Sequence, residues 1–140
     1  MVQVMIERRG EYPPNYPAIR DAFPAIARFK VIFAYGNVIY NPDMMDIPPH
    51  VWAHEEVHSA RQGRDPVGWW IRYIDDPAFR LEEELLAHAM ELQVLTAGAS
   101  RQIRRSSVKL LARKISAPIY GPMITSKAAR TEILEAMDRI

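Results

Sequence analysis

The sequence predicts an α+β fold in one domain: a small N-terminal β-sheet or hairpin followed by a mainly helical bundle. Three observations carry this. The segments that read as strands all fall within the first 40 residues, where Gly36-Asn37 separates two of them. Beyond residue 48 the chain is cut into helix-length pieces by Pro48-Pro49, Asp65-Pro66, Asp76-Pro77 and Pro118-Ile119-Tyr120-Gly121-Pro122. At 140 residues, 49% hydrophobic and 25% charged, the chain can bury one substantial core and has no room for two catalytic domains.

Taken in order, Val2, Val4 and Ile6 alternate with more polar neighbours and predict a short strand ending before Gly10. Tyr12-Pro13-Pro14-Asn15-Tyr16-Pro17 is too rich in proline for regular structure, and residues 17–23 have room only for a brief helix. The runs 29–35 and 38–40 flank a two-residue turn and predict a hairpin. Proline is tolerated in a first helical turn, so Pro48-Pro49 opens a helix running to about Gln62, with Gly63 placed to cap it. Asp65-Pro66 and Asp76-Pro77 each read as an N-cap followed by proline at the first helical position. The first opens a short aromatic helix, the second a long one from Pro77 to about Thr96. Helices over about 100–114 and 126–138 complete the chain.

Composition limits the chemistry. Without cysteine there are neither disulfides nor thiolate ligands, so any metal has to be held by His, Asp and Glu. No run approaches the ~20 apolar residues of a membrane span, and the N-terminus lacks a signal-peptide pattern, so neither a membrane nor standard export is expected. The net charge is +1, but residues 92–131 hold eight Lys/Arg and no acid. Arg101, Arg104, Arg105, Lys109, Arg113 and Lys114 account for most of it. With no nucleic-acid-binding motif beside them, they read as a solvated helix face.

One stretch points to a definite chemistry. His54-Glu55-Glu56-Val57-His58 places two histidines at i and i+4 on a predicted helix, so both imidazoles can reach one metal ion, with Glu55 next to its open side. A catalytic zinc usually takes three protein ligands and a water, and the third is sought in Glu82-Glu83-Glu84. Leu81, Leu85, Leu92 and Leu95 form the core stripe of that helix. At 100° per residue Glu84 lies about 65° from its centre, Glu82 about 95° and Glu83 about 165°. Periodicity therefore favours Glu84, and places His88 between it and the stripe. His50 would require ligands spread over ~12 Å of one helix, so it reads as a surface residue or one behind the ligands. Asp43 and Asp46 are candidates for orienting a ligand histidine. Trp52, Trp69 and Trp70 read as core or cleft walls.

The pattern Tyr35–Tyr40, His54–His58 with Arg61-Gln62, Trp70, Arg72-Tyr73, Phe79–Glu84, Ala87, Ala117–Gly121, Ile124 and Ala128 resembles gluzincin-type zinc metallopeptidases. In particular it resembles small HExxH proteins often encoded by phages, and the resemblance spans roughly residues 29–130. It implies a compact zincin-like domain in which His54, His58 and a downstream glutamate bind Zn2+ and Glu55 is the catalytic base. Relatives often carry a Glu-x-Glu-Ala run, whereas the second acidic position here is Leu86. The expected activity is hydrolysis of a peptide or protein substrate, in the cytoplasm (the host cell's for a phage protein) or in a virion. The competing expectation is a non-catalytic zincin-like module with phage structural partners. Tyr120 and His88, with Tyr73 and Arg80 beside them, are the candidates to stabilise the developing oxyanion. An exposed strand of the hairpin is expected to pair with an extended peptide.

Overall fold

A computed structural model describes residues 5–121 and 123–140, and the fold is α+β as expected. Strand β1 (Ile6–Arg9) pairs in parallel with β3 (Val38–Asn41), and β2 (Phe33–Tyr35) pairs antiparallel with β3, so the sheet order is β1-β3-β2. The expectation for Val2 and Val4 lies outside the described residues. The Gly36-Asn37 hairpin forms, with Ala34 opposite Ile39 and a φ of +61° at Gly36, a conformation that glycine adopts without steric penalty. Helix α1 (Tyr16–Ala22) and a 3-10 turn (Pro24–Arg28) fill the stretch between β1 and β2.

The helices begin and end where their caps dictate. Helix α2 (Pro49–Gln62) stops at Gly63, whose φ is +56°. Helix α3 (Pro66–Asp75) is capped by Asp65, whose side chain accepts from Gly68 N at 2.9 Å. Helix α4 (Pro77–Leu95) is capped by Asp76, which accepts from Ala78 N and Phe79 N. Ser100 and Thr125 do the same for α5 (Arg101–Ile115) and α6 (Ser126–Met137).

Helix α4 is the centre of the molecule, packed against α2, α3, α5 and α6. Its Leu85, Ala89 and Leu92 join Val108, Leu111 and Ile115 of α5 and Ala129 and Ile133 of α6 in one apolar cluster. A second cluster joins Ile19, Phe23, Ile26 and Phe33 to Trp69, Trp70 and Tyr73. Helix α2 is locked onto the hairpin by polar side chains: Ser59 Oγ donates to Gly36 O at 2.6 Å, Gln62 Nε2 donates to Ala34 O at 2.8 Å, and Gln62 Oε1 accepts from Gly36 N at 2.6 Å. Three bonds across one contact fix the rotation of α2, and hence the direction in which His54 and His58 point.

Being surrounded changes the reading of α4. Glu83, which periodicity placed farthest from the core stripe, is 1% exposed; its carboxylate accepts from Trp69 Nε1 at 2.7 Å and pairs with Arg61. A helix enclosed on several sides has no single outward face, so one apolar stripe does not predict which of its residues are buried. Glu82 is the glutamate that faces solvent, half-exposed and paired with Arg139 at 2.8 Å.

Candidate metal centre

His54 and His58 project from α2 toward α4, and Glu84 meets them there. His58 Nε2 lies 3.1 Å from His54 Nε2 and 3.0 Å from Glu84 Oε1, and His54 Nε2 lies 3.6 Å from Glu84 Oε2. Ligand atoms 2.0–2.1 Å from a common tetrahedral centre would lie roughly 3.3 Å from one another, so the three side chains already outline one face of such a polyhedron. The residues therefore fit a metal, and the two imidazoles and one carboxylate that could hold it are the triad expected from the sequence. Two nitrogens and one oxygen make a mixed donor set, unlike the all-oxygen surroundings that magnesium and calcium prefer.

The electrostatics of the cluster also fit a cation. Burial works against charging His54, yet hydrogen bonds to Glu84 and Glu91 hold its pKa well above the ordinary histidine value. Burial likewise opposes ionisation of Glu84, but the charge on His58 and hydrogen bonds from His54 and His58 keep its carboxyl well below the usual range. A pocket that draws a proton onto a buried imidazole stabilises positive charge at that place.

Glu55 is 6% exposed and lines the same cleft, and its Oε2 is buried with no hydrogen-bond partner among the described residues. Burial pushes its pKa up to about 7, although His54 and His58 pull it back. A carboxylate that is unpartnered and titrates near neutrality is suited to taking a proton from something that enters the cleft.

Behind the triad stands a residue that sequence reasoning missed. Glu91 Oε1 accepts from His54 Nδ1 at 2.9 Å, while its Oε2 lies 3.0 Å from His50 Nδ1 and 3.5 Å from Lys114 Nζ. Burial opposes ionisation of Glu91, but the hydrogen bond and charge of His54, with His88 and Lys114 nearby, bring its pKa down to about 2. The carboxylate that orients His54 is therefore Glu91 rather than Asp43 or Asp46, both of which are exposed. The signal was present: seven residues beyond Glu84, Glu91 returns to within about 20° of it on the helix. Of the two places expected for His50, at the surface or behind the HExxH pair, it takes the second, and all four histidines of the chain converge on this locus.

Tyr73 donates its hydroxyl to Glu84 Oε1 at 2.8 Å, so its proton is committed to the carboxylate. His88 Nδ1 lies 2.7 Å from the carbonyl of Glu84; a carbonyl only accepts, so Nδ1 carries the proton. Burial and the neighbouring His54 push the His88 pKa down to about 4, and the neutral ring is left with Nε2 as an acceptor. His88 also forms a second metal-competent group with His54 and Glu91. Arg80 lies outside the cleft: its guanidinium donates to the carbonyls of Tyr73 and Ile74 at the end of α3 and covers the Phe23 ring.

The cleft has a volume of about 430 Å³. Trp69 and Trp70 form part of its wall, with Ile32 and Phe33 from the segment leading into the hairpin and Ile119 and Met123 from the stretch between α5 and α6. Trp52, by contrast, belongs to neither the cleft wall nor a core cluster. Tyr120 closes one side, edge-on to Tyr73 at 5.5 Å and to Phe23 at 5.1 Å. Burial, with the charges of Glu84 and Glu55, holds its hydroxyl well above the ordinary tyrosine pKa, and so protonated. Neither a family model, nor a curated protein, nor a solved structure matches the chain.

Proposed function

We propose that the protein is a gluzincin-like zinc metallopeptidase that hydrolyses peptide bonds. One observation carries this reading: His54, His58 and Glu84 converge to within 3.0–3.6 Å, and in the same cleft Glu55 Oε2 has no hydrogen-bond partner among the described residues. His54 Nε2, His58 Nε2 and the Glu84 carboxylate would hold the metal. Zinc, when bound, supplies Lewis acidity that allows water to lose a proton near neutral pH and polarises a carbonyl.

The chain's own residues do the rest. Glu55 takes the proton of the attacking water at its free oxygen and passes it to the departing amine. Tyr120 offers a protonated hydroxyl to the oxygen that becomes negative. Glu91 holds the His54 ring with Nδ1 protonated and Nε2 free to ligate. An extended substrate would run beside the hairpin, but Gln62 and Trp70 already bond to Ala34 O. Main-chain pairing is therefore left to Lys30–Ile32, just before β2, which also line the cleft.

The test is zinc content by elemental analysis, together with hydrolysis of a fluorogenic peptide mixture. Wild-type protein is expected to hold one zinc and cleave peptides, Glu55→Gln to keep the zinc and lose cleavage, and His58→Ala to lose both. Zinc bound with no cleavage of any peptide would favour the non-catalytic module instead.

A further inference from the structure

Away from the cleft, α5 presents Arg101, Arg105, Lys109 and Arg113 at intervals of four residues, all exposed. At 1.5 Å per residue, they make a row of cations about 18 Å long, with a charge every ~6 Å. Like charges four apart repel within a helix, and sequences normally interleave acids to relieve this. Here there is none: residues 92–131 carry no Asp or Glu. None of the four side chains makes an ion pair or hydrogen bond among the described residues. Lys114, one residue beyond the row, is the α5 cation that does, and its partner is Glu91.

We infer that this face of α5 binds the phosphate backbone of nucleic acid, without reading its sequence. At about 3.4 Å of axial rise per phosphate on one strand, an 18 Å row spans about five phosphates, enough to engage all four cations. Ile103 and Leu110 are also exposed on α5 and admit a second occupant, an anionic lipid surface. Charge geometry favours nucleic acid: Val108, Leu111, Ala112 and Ile115, the helix's main apolar face, are already buried against α4 and α6. Two isolated apolar side chains give little to insert into a bilayer. The inference is independent of the metal site and of any peptidase activity.

The experiment is fluorescence anisotropy of a labelled 20-base-pair duplex titrated with the full chain across a salt series. The expected result is a Kd on the order of 10 μM at 50 mM salt, with log K falling against log salt at a slope of roughly −3 to −4 for up to four phosphate contacts. The triple variant Arg105→Gln, Lys109→Gln, Arg113→Gln is expected to weaken binding at least tenfold, with its helical circular dichroism and melting temperature maintained. A matched triple variant at other exposed arginines, Arg20→Gln, Arg28→Gln, Arg64→Gln, is expected to change binding less than threefold. Absence of duplex binding at 50 mM salt would overturn the proposal. So would equal losses in the two triple variants, or α5-dependent binding to phosphatidylglycerol vesicles with none to the duplex.

Discussion

Glu91 accepts from His54 Nδ1 at 2.9 Å, and through that bond the C-terminal part of α4 sets the orientation of the first histidine of the HExxH motif. In the neutral ring that a metal would bind, donation from Nδ1 to this carboxylate would leave the lone pair at Nε2. Because the same carboxylate also contacts His50 and Lys114, it is held on both oxygens and cannot rotate away.

Removing that support should loosen the site without removing a ligand. Glu91→Ala is expected to lower zinc affinity ten- to a hundredfold, as losses behind metal ligands do. Glu91→Gln, which keeps an acceptor oxygen, should lose less. Competition against a chromophoric chelator measures both, and unchanged affinity in the alanine variant would contradict the role assigned to Glu91.

Tyr73 is 1% exposed and its hydroxyl donates to Glu84 Oε1. Tyr73→Phe keeps the ring packing and deletes a bond to an ionised acceptor. Denaturant unfolding of the metal-free protein should show a loss of about 1.5–3 kcal/mol, the usual range for bonds to charged groups.

Glu55 gives the metal-free protein a definite pH dependence. Its folded pKa is raised to about 7 from 4.5 by burial. Between those values the folded chain keeps a proton that the unfolded chain releases, so the carboxyl's contribution to stability is intact below pH 4.5 and lost as pH rises to 7. At 1.36 kcal/mol per unit the loss is at most ~3 kcal/mol. Glu55→Gln cannot titrate, so its stability relative to wild type should rise from pH 5 to pH 8 by up to that amount. Parallel stability curves for the two proteins across that window would refute the assignment.

Adjacent glutamates on α4 should behave very differently. Glu83→Ala strips a buried carboxylate from Trp69 Nε1 and from Arg61, and is expected to destabilise by about 3 kcal/mol. Glu82→Ala removes only a half-exposed pair with Arg139, and should change stability by less than about 1 kcal/mol. Urea titration of the two variants decides the order.

The sequence by itself determined the class of fold, the hairpin about Gly36-Asn37, and the ends of the helices. These follow from local rules: proline cannot donate a backbone hydrogen bond, Asp65 and Asp76 cap the amides that follow them, and glycine accepts the left-handed turn at position 63. It also determined that His54 and His58 share a face, since i and i+4 on one helix have no other arrangement. Only the tertiary structure decided what that face meets. Which of Glu82, Glu83, Glu84 and Glu91 is ligand-like, structural, supporting or solvated depends on how α4 is turned against four neighbouring helices. The withdrawal of Arg80 from the cleft depends on where the carbonyls at the end of α3 fall. Helix periodicity fixes the angle between side chains along one axis, while the partner at each angle comes from packing between segments distant in sequence, which no short-range rule contains.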